Sequence, residues 1–189
     1  MIKKYKLNEI SRIISGYSFR SSVSSLSAGE TFVIQLKDVC DDMSLDLDNV
    51  QKINSRDIET FAHAIQNDIL LASKGKQTVG YVDTTEDLLV SSSLYIIRVE
   101  SDILLPKYLA IYFKSIKGQR ELNKISLGGY IKGISKKHLE RMTIPVPPID
   151  IQENIILLYD NISEQNRLLE RKTKINKETV DYVINKLIF

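Results

Sequence analysis

Apolar positions recur along this chain with two different periods, and the change between them divides it. From Thr31 to Val39, Phe32, Ile34 and Leu36 alternate with Val33, Gln35 and Lys37, which predicts a half-buried strand. Asp68 to Ser73 is a short apolar run closed by the turn signal Lys-Gly-Lys, and Thr78 to Val82 and Leu88 to Val99 predict two or three more strands. Leu7, Ile10, Ile13 and Ile14 fit a helix or a short strand that Gly16 breaks. The Ser-rich stretch from Ser15 to Ala28 and the acidic stretch from Asp41 to Asn49 read as loops. From Pro106 the period becomes helical. Leu109, Tyr112, Phe113 and Ile116 share a face, Pro106 suits a first helical turn, and a second helix is expected after Gly118. Leu127-Gly-Gly-Tyr reads as a loop, and Ser135 as the cap of a short helix carrying Leu139 and Met142.

The last quarter is the most distinctive. Pro145, Pro147 and Pro148 fix φ and remove backbone donors, so Thr143 to Pro148 is extended. No Pro or Gly follows. Asp150, with Glu153 at capping-box spacing, predicts a helix from Ile151 to about Leu187. It would be roughly 55 Å long at ~1.5 Å per residue, too long for a domain of this size to bury along its whole length. Ile151, Ile155, Leu158 and Ile162 form a 4-3-4 seam. The same count continues through Gln165, Leu169, Lys172, Asn176, Thr179 and Val183, then re-phases onto Ile175, Val180, Ile184 and Leu187. That mixture suits two helices packed antiparallel better than a long parallel zipper. Ile151, Ile155, Leu158, Ile162 and Leu169 are the candidate dimer contacts. The expected fold is therefore α+β: a β-rich domain with flanking short helices over 1–149, then one long coiled-coil helix over 150–189.

Charge sharpens the division. The net charge of +2 conceals six bases against two acids in 1–37, five against thirteen in 38–102, nine against two in 103–149, and six against seven in 150–189. The basic third segment is interleaved with Tyr108, Tyr112, Phe113 and Tyr130. It reads either as a phosphate-binding surface or as a face that pairs with the acidic segment. The single Cys40 excludes an internal disulfide or a zinc cage. No apolar run approaches membrane-spanning length, and the opening Met-Ile-Lys-Lys-Tyr-Lys has no apolar signal core. A cytoplasmic protein is expected.

Catalytic patterns are missing from the sequence. It has no Gly-x-Gly loop after a strand, no Walker lysine motif and no Asn-Pro-Pro-Tyr-like methyltransferase signature. His63, among Phe61, Ala62, Ala64 and Ile65, reads as a packed histidine, and His138 as a solvated one. Glu100 with Asp102, and Asp83, Glu86 and Asp87, could in principle hold Mg²⁺ for phosphodiester cleavage, but they read as solvated turn acids. No cofactor or metal is expected.

Several segments together resemble the specificity subunit of type I restriction–modification systems. They are Leu7-Asn-Glu-Ile with Ser15-Gly-Tyr, Ile34-Gln-Leu-Lys-Asp-Val, Asp68-Ile-Leu-Leu-Ala-Ser-Lys-Gly, Leu104-Leu-Pro-Lys-Tyr-Leu-Ala-Ile-Tyr-Phe, Gly118-Gln, Gly128-Gly-Tyr-Ile-Lys-Gly-Ile-Ser-Lys-Lys-His-Leu and Ile144-Pro-Val-Pro-Pro-Ile-Asp-Ile-Gln-Glu-Asn-Ile. Each is weak alone, but their order spans nearly the whole chain. The resemblance implies a DNA target-recognition domain followed by a spacer helix, with methyltransferase subunits doing the chemistry and a restriction subunit as a further partner. Family members usually carry two such domains and two such helices, packed antiparallel. This chain shows one of each, so it resembles half a subunit, which would either pair with a second copy on a split palindromic DNA site or be a truncated or recombination-donor fragment.

Three loops suit duplex contact: Gly16-Tyr-Ser-Phe-Arg20, Lys74-Gly-Lys-Gln77 and Gly128-Gly-Tyr-Ile-Lys132. They offer Tyr17, Ser18, Arg20, Lys74, Lys76, Gln77, Gly129, Tyr130 and Lys132, joined by Lys136 on the short helix beyond. Arg can grip guanine and Gln adenine in bidentate fashion, while Lys and Ser serve phosphates. The plainer reading of each is an ordinary connecting loop. Two other functions compete: a stand-alone repressor or anti-restriction protein, and a nuclease.

Overall fold

In the computed structural model, residues 2–20, 29–54, 58, 60–128 and 133–188 are described. The chain begins with β1 (Lys3–Lys6), a single helical turn α1 (Leu7–Ile10) and β2 (Ser11–Ser15). The Leu7, Ile10, Ile13, Ile14 pattern is thus divided between a turn of helix and a strand. The Ser11 hydroxyl donates to the Leu7 carbonyl at 2.7 Å where the helix gives way to the strand.

The predicted strands fall in two four-stranded sheets, which are completed by β2 and by two short strands that the pattern did not predict. One has the order β2–β9–β6–β7, with β6 (Ile69–Ala72), β7 (Val79–Tyr81) and β9 (Leu94–Val99), and is antiparallel throughout. The other runs β4–β3–β8–β5, with β3 (Thr31–Ile34), β4 (Lys52–Ile53), β5 (His63–Ala64) and β8 (Leu88–Val90), and its β3–β8 pair is parallel. Phe32, Ile34, Leu88 and Val90 meet Ile14, Leu70 and Ile96 in one core cluster. Val33 and Leu89 point the other way, into a second cluster with Ile53 and Ala62 that Tyr17, Phe19 and Ile58 cover. Strand β3 is therefore buried on both faces rather than one. It also stops at Ile34, where a 3-10 turn (Leu36–Asp38) begins and the Gln35 N–H donates to the Asp38 carboxylate at 2.8 Å.

Helix α2 (Pro106–Lys114) packs against β6 and β7. Its Tyr108, Tyr112 and Phe113 are buried, so these aromatics belong to the core and cannot stack on bases. Helix α3 (Ile116–Ile125) starts earlier than expected, because the Ser115 hydroxyl caps it by accepting from the Gly118 N–H at 3.1 Å. Ser115 is itself extended, which restarts the helical phase and leaves Ile116 75% exposed instead of on the buried face. Gly118 lies inside α3 because any Cβ there would stand 1.9 Å from the Tyr112 carbonyl oxygen. A small hairpin follows, β10 (Ser126–Leu127) with β11 (Gly133–Ile134), then α4 (Lys136–Glu140), capped by Ser135. Leu139 is buried within α4, while Met142, also buried, lies past its end.

The proline segment forms β12 (Thr143–Val146) and pairs antiparallel with β1, setting Tyr5 opposite Ile144. Helix α5 (Ile149–Ile188) follows. It opens two residues before the predicted start. The N–H groups of Ile151 and Gln152 both donate to the Pro148 carbonyl at 3.1 Å, so Asp150 sits in the first turn rather than at the cap. Gln152 is completely buried. Its amide oxygen accepts from Leu105 N–H at 2.8 Å, and its amide nitrogen donates to the carbonyls of Ile103 and Pro147, each at 2.8 Å.

One compact unit reaches to Glu153 and a second begins at Asn154. The second is the remainder of α5. Leu157, Leu158, Ile162, Leu168, Leu169, Ile175, Val180, Tyr182, Val183 and Ile184 are exposed along it. Its polar surface carries helical ion pairs, among them Glu164 with Arg167 at 2.8 Å. No described helix is long and apolar enough to cross a membrane.

Candidate nucleic-acid interface

The hub of the candidate surface is a turn within the predicted Leu88–Val99 strand region, Ser91-Ser92-Ser93, which joins β8 of one sheet to β9 of the other. On one side of it, Tyr17 N–H donates to the Val90 carbonyl at 2.7 Å, and Ser92 N–H donates to the Tyr17 carbonyl at 2.8 Å. On the other side, Ser73 N–H donates to the Ser93 carbonyl at 2.9 Å and its hydroxyl to the Ser92 carbonyl at 3.0 Å. Ile134 N–H then donates to the Ser73 carbonyl, and Lys74 pairs with Gly133. Residues 16–17, 91–93, 73–74 and 133–134 are thereby strung in a row. Segments far apart in sequence thus share one edge. Only a glycine fits at position 16, since a Cβ there would lie 2.0 Å from the Ser91 carbonyl oxygen.

The candidate residues differ in what they leave free. Ser18, Arg20, Lys74 and Lys76 are exposed. Gly75, between the two lysines, has φ +78°, the left-handed value that favours glycine in a tight turn. The Tyr17 ring packs edge-on against Phe19, with ring centres 4.9 Å apart, and is half-buried. Gln77 is half-buried as well, and its amide reaches the Ser126 hydroxyl at 3.4 Å. Lys136 is exposed on the first turn of α4, 4.0 Å from Glu140. Gly129, Tyr130 and Lys132 lie outside the described residues. The Tyr95 hydroxyl donates to the Ile134 carbonyl at 2.8 Å and so ties β11 to β9, with burial raising its pKa.

Beside the Lys74–Gln77 turn lies a polar cleft of ≈ 310 Å³ bordered by Asp41, Lys76, Thr78, Lys114 and Gln119. Lys76 bonds Asp41 at 2.9 Å and holds its carboxyl below the usual range, helped by the charge of Lys114. The basic 103–149 segment faces the acidic segment in part and solvent in part. Lys114 faces the acidic 41–42 loop, while Lys117, Arg120, Lys124, Lys137 and Arg141 stand exposed.

Several other titratable groups are tied to partners within the fold. Arg98 makes a two-pronged contact with Asp68, at 2.9 and 2.7 Å, and also donates to the His63 carbonyl at 3.1 Å. His63 bonds Asp87 at 2.7 Å, and the Ser135 hydroxyl lies 2.6 Å from the His138 ring. Among the described residues no three or more His, Cys, Asp or Glu side chains are grouped to hold a metal ion.

Residues 2–177 match the family model of the type I restriction modification DNA specificity domain. No curated protein sequence matches the chain. Among solved structures, the chain is similar to one from a type I R-M system described for its complex assembly and conformational transition (20% identity, TM-score 0.69, covering 96% of this chain and 43% of that one). It is also similar to the HsdS subunit from Thermoanaerobacter tengcongensis (22% identity, TM-score 0.61, covering 90% and 39%). A third is the type I restriction-modification S subunit from M. genitalium (15% identity, TM-score 0.64, covering 94% and 43%). The chain spans about two-fifths of the length of each of these solved chains.

Proposed function

Because this chain belongs to the type I restriction–modification DNA specificity family, we propose that it reads duplex sequence on behalf of a methyltransferase or restriction complex and performs no chemistry itself. The unit up to Glu153 is the reader, and the rest of α5 is the spacer that joins it to a second copy. The observation that carries this reading is the row of loops joined through Ser91–Ser93. It gathers Ser18, Arg20, Lys74 and Lys76, exposed and chemically suited to bases and phosphates, on one edge of the two-sheet body. The exposed apolar length of α5 supports pairing, since a contiguous apolar face of this extent marks an interaction surface. Two identical chains related by a two-fold axis present the same reading edge twice, so their site is a split palindrome with an unread spacer. A methyltransferase subunit, and a restriction subunit with it, act on the duplex so held.

The test is duplex binding followed by fluorescence anisotropy over a range of salt. The wild-type affinity is expected to fall steeply with salt. Lys74→Ala with Lys76→Ala should weaken binding to all sequences and flatten the slope of log K against log salt by roughly 0.9 for each phosphate contact removed. Unchanged affinity and slope in that double variant would place the duplex on another surface.

A further inference from the structure

Lys76 and Asp41 form an ion pair that links two turns and stands in solvent. The ammonium lies 2.9 Å from the carboxylate, and the side chains are 76% and 86% exposed. A pair this exposed contributes little to stability, yet backbone hydrogen bonds hold both of its turns in place. Around Asp41, Cys40 N–H donates to the Ser44 carbonyl at 2.9 Å and Met43 N–H to the Cys40 carbonyl at 3.1 Å. The buried Met43 also accepts at its carbonyl from Tyr81 N–H on β7, at 2.8 Å. Around Lys76, Thr78 N–H donates to the Lys76 carbonyl at 2.8 Å, and Ala72 N–H to the Thr78 carbonyl at 2.9 Å. The pair is thus displayed at a set place beside Lys74, on the edge described above.

Such a pair is a poor anchor for phosphate. A phosphate that approaches Lys76 is repelled by Asp41 beside it, so the cation has little net pull on the DNA backbone. That duty falls to Lys74, exposed two residues earlier. A base edge is a different target. In the major groove a G·C pair shows the O6 and N7 acceptors of guanine beside the N4 amino donor of cytosine. O6 and N4 share one of the base pair's own hydrogen bonds, so they stand about 2.9 Å apart. The donor Lys76 and the acceptor Asp41 are 2.9 Å apart in the opposite sense. Laid edge to edge, donor meets acceptor at both positions.

We propose that Lys76 and Asp41 together read one G·C base pair, Lys76 donating to guanine O6 and N7 and Asp41 accepting from cytosine N4, an assignment that rests on the duplex reading proposed above. The other pairs fit worse. A reversed C·G pair sets the ammonium against the amino group and the carboxylate against two acceptors. A T·A pair offers the same central acceptor and donor, but puts the thymine methyl beside the ammonium and adenine N7 beside the carboxylate. Asp41 therefore adds selectivity that Lys76 alone lacks, because it penalises every edge with an acceptor in its place.

The test is selection of bound duplexes from a random library by the full chain, then anisotropy on the selected duplex and its single-position variants. Wild type should require G·C at one position, by roughly 5- to 150-fold over C·G. Asp41→Ala and Lys76→Ala should each relax that position and leave the rest of the motif. The exchange Asp41→Lys with Lys76→Asp restores the ion pair in reverse and should favour C·G there. Both side chains are exposed, so the variants leave the core untouched, which circular dichroism checks. An unchanged motif in Asp41→Ala, with tighter binding to every duplex, would show that Asp41 only restrains a phosphate-binding lysine and would overturn the assignment. So would an exchange variant that keeps the wild-type orientation. A wild type that enriches no motif would overturn the duplex reading and this assignment with it.

Discussion

Gln152 is the residue on which the root of α5 most depends. Replacing it with Leu keeps a similar volume and removes three hydrogen bonds at once: from Leu105 N–H, and to the carbonyls of Ile103 and Pro147. A net intramolecular hydrogen bond contributes ~1 kcal/mol, and a buried group left without a partner costs about 1–3 kcal/mol. The Pro147 contact is buried and the other two are partly buried, so a total loss of about 3 kcal/mol is expected. For a chain of this size that lowers Tm by roughly 6–12 °C. Gln152→Glu probes the same site through pH. A carboxyl here meets two carbonyl oxygens, so its folded-state pKa is raised. The folded state then favours the protonated form, and stability falls as pH rises above the unfolded value of about 4.3. Urea unfolding followed by near-ultraviolet circular dichroism, at pH 4.5 and pH 7.5, reads both effects. A loss below ~1 kcal/mol in Gln152→Leu, or a Gln152→Glu variant equally stable at both pH values, would refute the anchoring role.

Three further outcomes follow from the same geometry. Gly118→Ala, which at an ordinary helical site stabilises by about 1 kcal/mol, should here destabilise, because the new methyl meets the Tyr112 carbonyl; a raised Tm would contradict that. Asp68→Ala leaves the mostly buried Arg98 guanidinium without its carboxylate and should lower stability by about 3 kcal/mol in urea titrations, while an effect near zero would show that solvent replaces the pair. Ile155→Glu with Leu158→Glu should turn a dimer into a monomer by light scattering without changing the unfolding of the sheets, and a persisting dimer would place the interface elsewhere.

Periodicity made most of this architecture legible. The helix at Pro106, the strand pairs around Lys74 and the proline-to-helix junction were all readable, because each is local chemistry. What was not readable depended on tertiary context. Strand β3 looked half-buried because its sequence cannot show that Tyr17 and Phe19 cover its second face. Tyr108, Tyr112 and Phe113 read as part of a basic surface because charge patterning does not separate a buried helix face from its exposed neighbour. Ser115 hid the start of α3, since a cap just before a glycine reads as a break. In the candidate interface the loops were nameable one by one, but the turn that joins them was not. Ser91-Ser92-Ser93 carries no charge or aromatic ring, and its role comes from backbone groups that no sequence pattern reports.

Selection of bound duplexes from a random library by the purified chain tests sequence-specific reading most directly. The account predicts enrichment of one split motif whose two halves are inverted copies separated by unread positions, and loss of that enrichment when Arg20, Lys74 and Lys76 are replaced together by Ala. Recovery of duplexes no different from the starting library, under salt conditions where the protein binds them, would contradict it.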